Sequence, residues 1–162
     1  RDVQEQLALM ESRSDGNGAA MIARAWVDPD YKAALLTDGA AAAKTLDHDT
    51  KGTPLVVLEN TAHVHNVVVC TLCSCYPVTL LGASPEWYKS KAYRGRVVRY
   101  PRSVLREFGT EIDSDRELRV HDSTADMRYM IMPKRPDNTD GLTEEALAEL
   151  ITRNGLIGVA EI

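Results

Sequence analysis

All three cysteines of the chain fall within six consecutive residues, Cys70-Thr71-Leu72-Cys73-Ser74-Cys75. Three thiols cannot pair off as disulfides without leaving one over. Gaps of two residues and then one are also too tight to staple distant elements together. The economical reading is that the thiols converge on one metal ion. Whatever fold the chain adopts must then hold this hexapeptide at the tip of something rigid.

The rest of the chain is able to supply such a support. Its 162 residues are 44% hydrophobic, enough for one domain with a real core. The charged fraction of 27% is ordinary, and the net charge of −5 argues against nucleic acid or an anionic membrane surface as the main partner. No apolar run approaches the ~20 residues that a membrane span needs. No signal-peptide pattern opens the chain, and clustered thiols suit a reducing compartment, so a cytoplasmic location is expected.

Periodicity predicts the elements. Val3, Leu7 and Met10 make a weak helical stripe over residues 1–15, and Asp15-Gly16-Asn17-Gly18 reads as a break. Met21, Ile22, Ala25 and Trp26 predict a helix from Ala19 to Asp28-Pro29. Asp28 or Asp30 then caps a second helix, running through Tyr31, Leu35 and Leu36 to about Leu46. After a polar loop at 47–53, residues 54–58 and 67–69 predict strands joined by the polar stretch 59–66, with Cys70 ending the second. Short helices follow Pro77, with starts at Ser84-Pro85 and Pro101-Arg102. Residues 117–120 and 128–132 predict a further strand pair. Thr143 caps a last helix over 144–153, ended by Asn154-Gly155. The expected class is α+β, with N-terminal helices followed by a small β-sheet core flanked by helices. Residues 1–50 read as an N-terminal helical arm and 51–162 as the metal-binding α/β core, the two making one structural unit.

Three readings of the cysteine loop compete. A structural zinc site wants four ligands, usually from two separated pairs, and no second pair exists here. His63 and His65 could complete a zinc site, but a strand separates them from the loop, so a surface or loop role suits them better. An iron–sulfur cluster meets the same shortage of thiolates. The third reading uses the backbone. If the amides of Ser74 and Cys75 lose their protons, they become nitrogen ligands lying between the sulfurs of Cys73 and Cys75. The chelate rings formed have six, five and five members, which favours a planar set of two sulfurs and two nitrogens. Cys70 can then supply an axial sulfur and leave one coordination position open, as catalytic metal sites do. Amide deprotonation is costly, so trivalent cobalt or iron suits this donor set better than zinc. Thiolates beside such an ion are candidates for oxidation to sulfenic or sulfinic acid.

The string Val69-Cys70-Thr71-Leu72-Cys73-Ser74-Cys75-Tyr76-Pro77 resembles the metal motif of the nitrile hydratase alpha subunit and of its relative, the thiocyanate hydrolase gamma subunit. The likeness continues in order through Ala25–Lys32, Glu59-Asn60-Thr61, Val64–Val69, Pro85-Glu86-Trp87-Tyr88-Lys89, Val104–Gly109, Arg128-Tyr129 and Thr152–Gly158. It covers about residue 18 to the end. The resemblance implies that Cys70, Cys73 and Cys75, with the Ser74 and Cys75 amides, ligate one ion per chain. It implies sulfinic acid at Cys73 and sulfenic acid at Cys75. Thr71 and Tyr76 match the cobalt members, so the resemblance points to Co(III), with Fe(III) the alternative.

By the same resemblance the reaction is hydration of a nitrile to its amide, with the Cys75 sulfenate oxygen as nucleophile or base. Ser74 would help hold the oxidised sulfurs. Arg128 matches an arginine near the family's active site, against which a surface ion pair is the plain alternative. Trp26 and Trp87 read as core or interface anchors. A beta-type subunit, entire or split into two chains, is the expected partner and a small nitrile the expected ligand. One departure stands out. Many members carry Tyr-Pro-Trp after the motif, whereas this chain has Val78, which predicts room for a bulkier, heteroaromatic nitrile. Thiocyanate hydrolysis and a non-catalytic zinc-binding domain are the rival readings.

Overall fold

A computed structural model describes Val3, residues 15–72 and residues 75–162. The stripe expected at 1–15 otherwise lies outside them. The first long helix, α1 (Asp15–Val27), runs through the Gly16-Asn17-Gly18 segment that reads as a break. Packing explains the glycine at 18. A Cβ there would come within 3.0 Å of the Leu80 carbonyl and Leu156, and 3.1 Å of the Met130 sulfur. The small residue is needed for close approach, not for a turn. Asn17 Nδ2 donates to the Thr79 carbonyl (2.8 Å) and fixes the same contact.

Asp28, and not Asp30, caps the next helix. Its Oδ1 accepts from the Asp30 and Tyr31 amides, and Pro29 occupies the first helical position. The single helix expected to reach Leu46 is two, α2 (Pro29–Thr37) and α3 (Gly39–Thr45). Asp38 adopts an extended conformation between them, closing α2 with its amide and capping α3 with its carboxylate. The last predicted helix is likewise split into α8 (Glu144–Leu150) and α9 (Arg153–Ile157). Thr143 caps the first as expected, and Thr152 turns extended to cap the second.

The strands are β1 (Leu55–Glu59), β2 (Val64–Val69), β3 (Glu117–Asp122) and β4 (Arg128–Met132). The expected pairing of the last two with each other is not what forms. β1 pairs in parallel with β4, from Leu55 opposite Arg128 to Glu59 opposite Met132. β2 pairs in parallel with β3, from Val64 opposite Glu117 to Val69 opposite Asp122. Only an isolated bridge, Thr124 to Met127, joins the tight turn between β3 and β4. Parallel pairing carries a chain inside the molecule, and β2 accordingly is buried from His65 to Val69 on both faces.

Four short helices link the two halves: α4 (Val78–Leu81), α5 (Glu86–Lys89), α6 (Lys91–Arg99) and α7 (Pro101–Glu107). One apolar cluster joins Met21, Ile22, Leu35, Val57, Val69, Leu80, Tyr88, Leu105, Met130, Leu147 and Leu156. Trp87 packs edge-on against Tyr93 and Phe108, with centroids at 4.9 and 4.6 Å. Trp26 lies against the same core and donates its indole N–H to the Pro133 carbonyl. Both tryptophans are thus packing groups.

His65 is a correction to the sequence reading, because it is fully buried in β2 while His63 is exposed. Its Nε2–H donates to the Gly158 carbonyl (2.6 Å), and its Nδ1 accepts from Asn60 (3.3 Å). Neutral imidazole alone satisfies both bonds. Gly158 sits at φ 98°, and a Cβ there would lie 2.1 Å from the Asn66 carbonyl, so only glycine lets the chain end pack on β2. Burial lowers the His65 pKa, with the nearby Arg116 guanidinium adding to the effect. Burial likewise lowers His121, where Arg119 adds to it, and His48. An unfolded chain therefore binds more protons than the folded one once pH falls through about 6.5. Stability should be level above that pH and drop below it, by up to ~1.4 kcal/mol per pH unit for buried His65 and by less for the more exposed His121 and His48. Urea unfolding from pH 8 to pH 5 measures this, and His65→Gln should shrink the drop. A flat profile in the parent chain would refute the burial argument.

Candidate metal centre

β2 delivers the cysteine loop. Cys70 follows its last residue directly and is fully buried, and Cys75 is half-buried against the core. Neither is in a disulfide. Cys73 and Ser74, expected as ligands, lie outside the described residues. Leu72 projects outward, 86% exposed, so one side of the loop faces away from the core.

Groups from four other elements hold the loop and the strand end before it. The Val69 carbonyl accepts from the Ser123 amide (2.7 Å), continuing the β2–β3 ladder by one residue. Asp122, the last residue of β3, clamps Thr71 twice: Oδ1 accepts from its amide (2.8 Å) and Oδ2 from its hydroxyl (2.5 Å). On the far side, the Tyr88 hydroxyl of α5 donates to the Cys75 carbonyl (2.8 Å). The Tyr93 hydroxyl of α6 donates to the Val68 carbonyl (2.7 Å), just before the loop. Tyr76 stacks edge-on upon Tyr88 at 5.1 Å, and Pro77 then leads into α4.

Charge around the loop follows from burial. Tyr88 has its phenol pKa pushed up by desolvation first, and further by the thiols of Cys70 and Cys75 and by Tyr76; the Ser123 hydroxyl acts the other way. Burial raises Tyr93 in the same manner. Both phenols therefore stay protonated and act as donors.

Arg128 opens β4 and lines a cavity of about 180 Å³ with Lys51, Leu55, Tyr76, Pro77 and Val78. Its guanidinium donates to the Thr124 carbonyl across the β3–β4 turn. So the arginine predicted from sequence shares a cavity with the segment just after Cys75, though its hydrogen bond is to the turn. A larger cavity, about 450 Å³, lies at the other end of β1 and β4 between Trp26, Lys32, Glu59 and Arg135. It includes no loop residue.

The described donors of the loop are the free thiols of Cys70 and Cys75. Among the described residues no three His, Cys, Asp or Glu gather into a metal-holding group. His65 is excluded as a ligand because both ring nitrogens are engaged. What sequence reasoning missed is the support: Asp122, Ser123 and the hydroxyls of Tyr88 and Tyr93. Tyr88 falls within the Pro85–Lys89 stretch, but Asp122 carries no local signal. Only the β2–β3 register brings it opposite Val69.

The family model described as "Nitrile hydratase, alpha chain" matches residues 1–160. The chain belongs to the nitrile hydratase alpha-chain family. The low-molecular weight cobalt-containing nitrile hydratase subunit alpha of Rhodococcus rhodochrous is 55% identical over 144 residues, which is 88% of this chain and 70% of that relative. The thiocyanate hydrolase subunit gamma of Thiobacillus thioparus is 49% identical over 154 residues, 88% of this chain and 63% of that one. Among solved structures, a double mutant of the Fe-type nitrile hydratase from Comamonas testosteroni Ni1 superposes with a TM-score of 0.93 at 46% identity, covering 98% of this chain and 78% of its counterpart. A recombinant thiocyanate hydrolase with partially modified cobalt centres gives 0.87 at 42% identity, covering 99% and 81%. The family and α+β architecture implied by the residue motifs are therefore established.

In this nitrile hydratase alpha chain the double clamp on Thr71 is testable by itself. Asp122→Asn keeps the shape but replaces one acceptor oxygen by a donor, stranding a Thr71 hydrogen. The expected cost to the metal-free chain is about 1 kcal/mol, read as a lower urea midpoint. Unchanged stability would show that Thr71 does not need the clamp.

Proposed function

We propose that this chain is the metal-bearing subunit of a cobalt nitrile hydratase, with Cys70, Cys73, Cys75 and the amides of Ser74 and Cys75 holding one Co(III). The observation that carries the reading is the loop itself: two thiols at the end of a doubly buried strand, braced from behind, in a chain whose relatives include cobalt-containing enzymes. When bound, the ion supplies Lewis acidity that polarises the carbon–nitrogen triple bond.

The chain's own residues do the rest. The Cys75 sulfenate oxygen acts as base, taking a proton from the water that attacks the nitrile carbon, or as nucleophile, in which case water then adds at that carbon, the carbon–oxygen bond to the sulfenate breaks and the sulfenate is restored. The net change adds hydroxyl to carbon and hydrogen to nitrogen, and the adduct tautomerises to the amide. Ser74 steadies the oxidised sulfurs, Cys73 being carried as sulfinic acid. Arg128 presents its cation along the wall of the 180 Å³ cavity and orients the substrate there. A beta-type partner, in one chain or two, covers the exposed side and adds cationic donors to the sulfur oxygens. Fe(III) is the alternative ion, favoured by the Fe-type neighbour.

Val78 lines that cavity and is partly exposed, which supports acceptance of a bulkier, heteroaromatic nitrile. A second reading, thiocyanate hydrolysis, draws on one observation: two cations, Lys51 and Arg128, line the same cavity, and thiocyanate is an anion. No helix among the described residues is long and apolar enough to cross a membrane. A cytoplasmic setting fits thiols that must stay reduced until metal arrives.

Elemental analysis joined to intact mass tests the reading. One cobalt per chain with two added oxygens on Cys73 and one on Cys75 is expected; one zinc and no added oxygen would replace it with a structural zinc domain. Cys75→Ala should abolish hydration even where cobalt stays. Adding the partner should raise turnover by a factor on the order of 100 or more, because prepositioned donors are worth about 2–4 kcal/mol each in the transition state. Val78→Trp should shift kcat/KM from large nitriles toward small ones, and equal preference in both proteins would remove the cavity argument.

A further inference from the structure

We infer that Tyr88 is a positioning residue for Cys75, its hydroxyl fixing the backbone of the last cysteine so that sulfur and amide nitrogen meet the same ion. The inference deepens the proposed function and rests on it. Cys75 has the hardest geometric task in the loop, since one residue must offer two donors in a five-membered ring. That ring closes only for a narrow range of backbone and side-chain torsions. The Cys75–Tyr76 peptide plane sets where the Cα of Cys75 can sit, and Tyr88 holds that plane by its 2.8 Å bond to the carbonyl.

The donor is held as firmly as a side chain can be. Tyr88 is fully buried, and its ring is packed against Tyr76 at 5.1 Å, Tyr93 at 6.0 Å and Trp87 at 6.2 Å.

Tyr93 provides an internal control. It belongs to the same aromatic cluster, is similarly buried, and donates to a backbone carbonyl at 2.7 Å. That carbonyl is Val68, in the strand and outside the cysteine loop. Removing either hydroxyl deletes one buried hydrogen bond, but only Tyr88→Phe releases a cysteine.

The experiment compares the full-length chain with Tyr88→Phe and Tyr93→Phe, each reconstituted with cobalt in air. Both variants should melt lower than the parent when metal-free. At equal cobalt content, Tyr88→Phe should shift the sulfur-to-cobalt charge-transfer band, lose the oxygen added at Cys75 in intact mass, and release cobalt to a chelator about tenfold faster. Tyr93→Phe should match the parent in all three. Identical spectra and release rates for the two variants would overturn the inference and leave Tyr88 a packing residue. If Tyr88→Phe does not fold, 4-aminophenylalanine at 88 keeps a donor. Parent-like spectra there support the inference, and altered spectra in a folded, cobalt-loaded protein refute it. A parent chain that binds no cobalt sinks the proposed function itself, a different result from a parent that loads normally beside an indifferent Tyr88→Phe.

Discussion

A six-residue loop at the end of a strand takes its shape from what surrounds it. The described loop groups find their partners on other elements: the Val69 carbonyl on Ser123, the Thr71 amide on Asp122, the Cys75 carbonyl on Tyr88. Each partner sits on a different support, the β3 end, the turn after it, and α5. Fixing a metal-binding loop before metal arrives lowers the ordering cost that binding must otherwise meet. The fold can be understood as a means of bringing those three supports to one place.

The placement depends in turn on a buried polar cluster at the other end of β2. Asn60 Oδ1 accepts from the Asn66 amide (2.7 Å), Asn66 Oδ1 faces His121 (2.8 Å), and His65 ties β2 to the Gly158 carbonyl. A strand carrying His65 and Asn66 inward would be costly if these groups lacked partners. Because every one is answered by a particular residue, the cluster admits one register. A shift of β2 by one residue would break it and move Cys70 away from Asp122 as well. Specificity of the strand and position of the cysteine are therefore one problem.

Much of this was legible before the structure. The three cysteines announced a metal, and Asp28, Thr143 and the β-branched runs located helices and strands near where they lie. The misreadings share a cause. Gly18 looked like punctuation because its reason, the Leu80 carbonyl and Met130 beside it, is 60 or more residues away. Residues 117–120 and 128–132 looked like a strand pair because they are neighbours in sequence, yet each pairs with a distant strand. His65 looked peripheral because nothing local shows that the chain end returns to cover it. Local chemistry was readable in local residues; long-range pairing was not. The site divides along the same line, its cysteines visible and Asp122 and Tyr88 hidden until strand register and helix packing were known.

The loop keeps an exposed face, and that has a chemical consequence. Ser123, Tyr88 and Tyr93 approach from the core and Asp122 grips Thr71 at the surface, while Leu72 stands 86% exposed and Val78 lines the cavity with Arg128. Residues behind the loop can fix backbone and sulfur positions. They would not dry the outer side of a bound ion or answer charge that develops there, since the loop face marked by Leu72 is open to water. Electrostatic stabilisation weakens as the local dielectric rises, so a well-built half-site in contact with solvent is a poor catalyst however accurate its geometry. A second surface laid over Leu72 and the cavity mouth would exclude water and bring cations to the sulfur side together. On this argument the need for a partner subunit follows from the open face of the loop, where Leu72 meets solvent and the cavity beside Arg128 begins.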